Sequence, residues 1–118
     1  MNPTIRSFKV YMPAKDFERS KRFYAALGFA VWEGSSGTAD FSMNGHAFRL
    51  QDDYVKDWAD NFMAVLGVDD VEAWHRRVVE VANDPDFRDV RVKPPEPVGD
   101  SMVLHVCDPS GVLLVFVQ

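Results

Sequence analysis

Apolar side chains occupy both parities of the first segment, Phe8, Val10 and Met12 alternating with Ile5 and Tyr11, which predicts a strand over 5–12 covered on both faces. Pro13 ends it. From Asp16 the period changes. Phe17, Ser20, Phe23, Tyr24 and Leu27 recur every three or four residues, so an amphipathic helix starts at an Asp16 N-cap and stops at Gly28. Aromatic and β-branched residues predict a strand over 29–33. Two more follow over 38–43 and 46–51, joined by Asn44-Gly45, a dipeptide suited to a two-residue hairpin turn. This half of the chain reads β-α-β-β-β.

The pattern then starts again. Residues 62–68 predict a strand, and Asp69-Asp70 leads into a helix to about residue 81 with Val71, Trp74, Val78 and Val81 on one side. Pro85 and its polar neighbours break that helix, 90–92 predicts a short strand, and Pro94-Pro95-Glu96-Pro97-Val98-Gly99 reads as a loop. Strands over 102–106 and 112–117, set about an Asp108-Pro109-Ser110-Gly111 turn, complete a second β-α-β-β-β. An offset of 54 residues places Asp16-Phe17-Glu18 on Asp70-Val71-Glu72 and Arg22 on Arg76. Helix capping alone selects an acid-apolar-acid start, so duplication rests mainly on the matching element order. The expected fold is α+β: one domain of two modules, about 5–51 and 61–118, joined by an acidic connector over 52–60.

Composition narrows the function classes. With 118 residues, 47% of them hydrophobic, the chain is long enough for a core without staples, and its lone Cys107 can form no intrachain disulfide. Thirteen basic against eighteen acidic residues give a net charge of −5, so nucleic acid is not an expected partner. No apolar run has membrane-spanning length, and the first residues lack the apolar core of a secretion signal, which points to a cytoplasmic protein with no membrane partner.

Candidate chemistry is sparse. His46, His75 and His105 fall in separate elements without zinc spacing, Cys107 has no paired histidine, and no phosphate-binding glycine loop is present. His46 and His75 read as surface residues, whereas His105 lies in a central strand and could face a cavity. From Asp52 to Glu72 seven carboxylates stand against Lys56 alone. They either cap the second helix and face solvent, or rim a cavity and attract cations. Trp74 has core spacing. Trp58 sits in the polar connector, as a ligand or subunit contact would, and Trp32 and Phe41 lie on neighbouring strands as either a cavity wall or core.

Three stretches together carry a resemblance: Asp16-x-x-x-Ser20-x-x-Phe23-Tyr24-x-x-Leu27-Gly28-Phe29, Val68-Asp69-Asp70-Val71, and Asp108-Pro109-Ser110-Gly111 before a terminal apolar strand. They resemble the vicinal oxygen chelate superfamily of glyoxalases, extradiol dioxygenases and bleomycin-resistance proteins. That resemblance implies curled mixed sheets around a cavity, with helices on the outer face. Metalloenzymes of the superfamily place ligands on inward strand positions that here hold Lys9, Arg49, Met63 and Val115. None of these suits a hard or borderline divalent cation, so no metal and no cofactor are expected.

The second half is most similar to bleomycin-resistance proteins, which are metal-free dimers that sequester a bulky cationic drug between their chains. The implied function is metal-independent sequestration of a medium-sized aromatic or cationic organic molecule by a homodimer. Trp32, Trp58 and Phe41 would stack on that ligand and Tyr11 and His105 would hydrogen-bond it. Arg49 and Met63 lie at the ligand-facing positions, and Lys9 and Arg49, if inward, would receive carboxylates. The alternatives are a metal-dependent enzyme resembling lactoylglutathione lyase or a dioxygenase, and a dimeric interaction module without a small ligand.

Overall fold

The structure, a computed structural model describing residues 2–118, contains two four-stranded mixed sheets and three α-helices. In the first sheet the strands β1 (Tyr11–Pro13), β2 (Ala30–Glu33), β3 (Thr38–Met43) and β4 (His46–Gln51) lie in the order β1-β4-β3-β2. The second sheet repeats that order with β5 (Met63–Gly67), β6 (Arg91–Val98), β7 (Ser101–Cys107) and β8 (Leu113–Val117), arranged β5-β8-β7-β6. Each first strand runs parallel to the last strand of its sheet, and the other pairings are antiparallel. The α+β architecture is the one the residue pattern predicts.

The long helices form for local reasons. Asp16 accepts the Arg19 backbone N–H at the start of α1 (Phe17–Leu27), and Asp70 accepts that of Ala73 at the start of α3 (Val71–Ala82). Gly28, at φ 113°, closes α1 in the left-handed conformation that a side chain disfavours. Phe23, Tyr24 and Leu27 of α1 and Val71, Val78 and Val81 of α3 join Ala39, Phe41, Leu50, Leu104, Val106 and Phe116 of the sheets in one core. Each fully buried large side chain there contributes on the order of 1.5–3 kcal/mol. Trp74 packs at its margin, 5.0 Å from the Phe116 ring.

A buried polar lock ties the two halves together. The Tyr24 hydroxyl donates to Asp108 Oδ2 at 2.6 Å, and Asp108 Oδ1 accepts the backbone N–H groups of Ser110 and Val112. Burial pushes the Asp108 carboxyl above its ordinary range against these hydrogen bonds, and burial beside that carboxylate raises the Tyr24 hydroxyl well above its own. Ser110 also receives the Lys15 backbone N–H, and its hydroxyl lies 3.2 Å from that of Ser20.

Three elements differ from the sequence reading. The first strand pairs only over Tyr11–Pro13, and ahead of it Ile5 and Phe8, one from each apolar parity, are about 80% exposed because nothing in the described chain covers either side. The proline-rich 94–98 stretch belongs to strand β6. Three prolines are tolerated there because β6 is an edge strand whose register with β7 shifts between Lys93 and Glu96. The connector is also not all loop, since Lys56–Asn61 forms a short helix, α2, on which Lys56 pairs with Asp60. No helix among the described residues is long and apolar enough to cross a membrane.

Candidate functional site

Helices cover one face of each sheet, and the opposite faces are open. Register decides what those faces carry, because directly paired residues point the same way. On the first sheet Tyr11 pairs with Arg49, Arg49 with Asp40, and Asp40 with Trp32, which sets one row across all four strands. Trp32 is 71% exposed there. On the second sheet Val65 pairs with Val115, Val115 with His105, and His105 with Lys93. Met63 and Val65 are exposed beside this row.

The first row is organised around one carboxylate. Arg49 donates from Nε to Asp40 Oδ1 at 2.6 Å and from Nη2 to Asp40 Oδ2 at 3.0 Å, while Lys9 Nζ donates to Asp40 Oδ2 at 2.6 Å. Arg49 Nη1 donates to the Tyr11 hydroxyl at 3.1 Å, and the guanidinium carbon lies 5.5 Å from the Tyr11 ring centroid. Hydrogen bonds from Arg49 and then Lys9 hold the Asp40 carboxyl well below the usual carboxylate range, and Asp40 in turn raises Arg49.

A depressed folded-state pKa stabilises the native chain above the unfolded carboxylate value, about 4, and that contribution is lost as pH falls through the folded value. Urea unfolding is therefore expected to show a larger stability loss between pH 7 and pH 3 for the native chain than for Asp40→Asn. Equal losses in the two proteins would remove the assignment.

Of the residues singled out from sequence, Tyr11, Trp32 and Arg49 lie in one row, and Met63 and His105 occupy the open face of the other sheet. His105 Nδ1 is buried without a hydrogen-bond partner among the described residues. Phe41 is not on an open face. It is fully buried in the core, stacked on Phe48 at 5.4 Å, because Trp32 pairs with Asp40 and strand alternation turns Phe41 the other way. Trp58 is exposed on α2, outside both sheets. Asp40, which no sequence motif marks, is the group that joins Lys9 to Arg49.

The connector acids also lie off the sheet faces: Asp57 and Asp60 are on α2, while Asp69 and Asp70, beside Trp74 and Asn44, line a groove of about 650 Å³. A separate cavity of about 280 Å³ lies between β4 and β5, walled by Met12, Tyr24, Phe48, Met63, Leu66 and Leu114. Its walls are mostly apolar, with His46 and Tyr24 the only side chains there that carry a polar group, so it offers few convergent groups to orient a ligand.

Residues 6–116 match the Glyoxalase/Bleomycin resistance protein/Dioxygenase superfamily. The chain belongs to that superfamily. No curated protein matches it. Among solved structures, the bleomycin resistance determinant encoded on the transposon Tn5 is 22% identical, with a TM-score of 0.78 over 97% of this chain and 98% of that one. The bleomycin-binding protein of Streptomyces verticillus, solved with copper(II)-bleomycin, is 19% identical, with a TM-score of 0.76 over 96% and 97% of the two chains. Lactoylglutathione lyase from Agrobacterium tumefaciens is 14% identical, with a TM-score of 0.69 over 98% and 94%. At these identities the likeness establishes the shared fold.

A superfamily metal would have to fit the four carried-over positions, and the side chains there do not fit one. Lys9 and Arg49 are cations already committed to Asp40, Met63 offers a thioether, and Val115 offers no donor atom. Among the described residues no three His, Cys, Asp or Glu side chains converge to hold an ion.

Proposed function

We propose that this superfamily member is a metal-independent binder of the bleomycin-resistance type, which sequesters a medium-sized aromatic molecule on its open sheet faces. The observation that carries this reading is the first-sheet row, where an exposed Trp32 ring stands beside a prearranged Tyr11–Arg49–Asp40 constellation. An aromatic platform gives apolar contact, and fixed donors at its edge give orientation. Non-coordinating side chains at the metal-ligand positions of catalytic relatives favour gripping over transforming. The solved relatives named for bleomycin resistance and bleomycin binding support the same class.

A second copy completes the site in this reading. The exposed Ile5, Phe8, Met63 and Val65 are apolar surface that an isolated chain leaves in water, and burying it against an identical chain would close a cavity between the open faces. Titration with a panel of uncharged and anionic polycyclic aromatics is expected to change tryptophan fluorescence saturably, and sedimentation is expected to report a dimer. A flat fluorescence response across that panel would overturn the binding assignment, and a monomer at all concentrations would overturn the shared cavity.

A further inference from the structure

We infer that the ligand carries an anionic group, a carboxylate or its equivalent, received by Lys9 and Arg49 while its aromatic part lies on Trp32. This rests on the reading of the open faces as the binding surface and deepens it.

The first observation is the distribution of charge. The chain as a whole has a net charge of −5. Its open sheet faces have the opposite balance. Register places Arg49, Arg91 and Lys93 on those faces, and Lys9 reaches them through its contact with Asp40, against only two carboxylates among the described residues, Asp40 and Glu96. Glu96 is taken up by Lys93 at 3.0 Å, and Asp40 is shared by Lys9 and Arg49, so the first-sheet cluster keeps one uncompensated positive charge. Most of the remaining acids are carried by the connector, the helices and the loops and turns beyond the open faces. A cation approaching the faces would meet repulsion at short range, and an anion would meet attraction.

Donor accounting gives the second observation. A guanidinium has five N–H donors, and Arg49 spends three of them, two on Asp40 and one on Tyr11. Lys9 has three and spends one. The remaining donors belong to side chains about one-third exposed and locked in place by a common acceptor. Because Asp40 already fixes both cations, an incoming carboxylate would order little that is not already ordered.

The opposite sheet offers nothing to neutralise the cluster if a second copy covers it. Its open face presents Met63, Val65 and His105, with Arg91 and Lys93 on the edge strand and its one carboxylate among the described residues, Glu96, already paired there. Enclosing a net positive charge beneath that apolar surface is costly unless a counter-charge enters as well, and the ligand supplies it. Strand spacing of about 4.8 Å puts Trp32 roughly two strands from Arg49, so a short linker between ring and anion spans both.

Three probes of matched shape test this: 2-naphthylacetate, 2-(2-naphthyl)ethanol and 2-(2-naphthyl)ethylammonium, titrated calorimetrically at low salt. The acetate is expected to bind about tenfold tighter than the alcohol, and the ammonium weaker than either. The acetate's advantage should shrink as salt rises. In Lys9→Met the acetate-to-alcohol ratio should fall to within about threefold, and in Arg49→Met, if it folds, the ratio should fall likewise. An ammonium that binds as tightly as the acetate overturns the inference while leaving the aromatic binder intact. Failure of all three probes to bind overturns the binder reading, and this inference falls with it.

Discussion

Asp108→Ala is expected to destabilise the protein by about 3–5 kcal/mol, a large fraction of the roughly 5–15 kcal/mol that holds a domain of this size together. The carboxylate accepts from the Tyr24 hydroxyl of α1 and from the Ser110 and Val112 backbone N–H groups of the β7–β8 turn. Alanine would leave three donors without an acceptor at a site where water does not reach, since Asp108 is 1% exposed. The lock bridges 84 positions of sequence, so its loss loosens α1 from the second sheet as well as the turn itself. Tyr24→Phe, which removes one donor and keeps the ring in the core, should cost about 1–2 kcal/mol. Urea unfolding followed by far-ultraviolet circular dichroism measures both; an Asp108→Ala cost below about 1 kcal/mol would show that the turn does not depend on the carboxylate.

Trp32→Ala should have the opposite profile. Its ring projects from the open face of the first sheet, so truncation should change stability by no more than about 0.5 kcal/mol. Ligand affinity should fall by roughly 1.4–2.8 kcal/mol, which is about tenfold to a hundredfold in Kd. Phe41→Ala is the informative contrast. Its ring is fully buried between Tyr24 and Phe48, and its removal should cost about 3–5 kcal/mol of folding stability. Calorimetric binding and urea unfolding of the two variants separate the roles. An unchanged Kd in Trp32→Ala would exclude the first-sheet face as the binding platform.

Local chemistry was legible in the chain wherever one signal decided the outcome. Asn44 and Gly45 adopt φ of 53° and 83°, which the Asn-Gly dipeptide announces, and β3 and β4 on either side of them keep the boundaries their alternation predicts. The Asp16 and Asp70 caps start their helices where the apolar period begins. Superfamily membership was legible because three spaced motifs span both halves of the chain.

Long-range pairing was not legible. Proline argued for a loop at 94–97, and only the edge position of β6 shows why a strand persists there. Trp32 and Phe41 lie on adjacent strands, yet a cross-strand register set by the turn between them puts the two rings on opposite faces. Alternation within Ala39-Asp40-Phe41-Ser42 carried that information, with apolar and polar residues on separate parities. Asp40 stood out in no motif because its role comes from partners 9 and 31 positions away.

The most direct test of gripping without a metal is calorimetric titration of chelator-stripped protein with an aromatic ligand found by fluorescence, repeated after adding zinc, nickel, manganese or iron(II). Saturable binding with the same affinity in every titration, and no chemical change in the recovered ligand, is the predicted result. Binding that requires one of these cations, or a ligand recovered as a different compound, would contradict it.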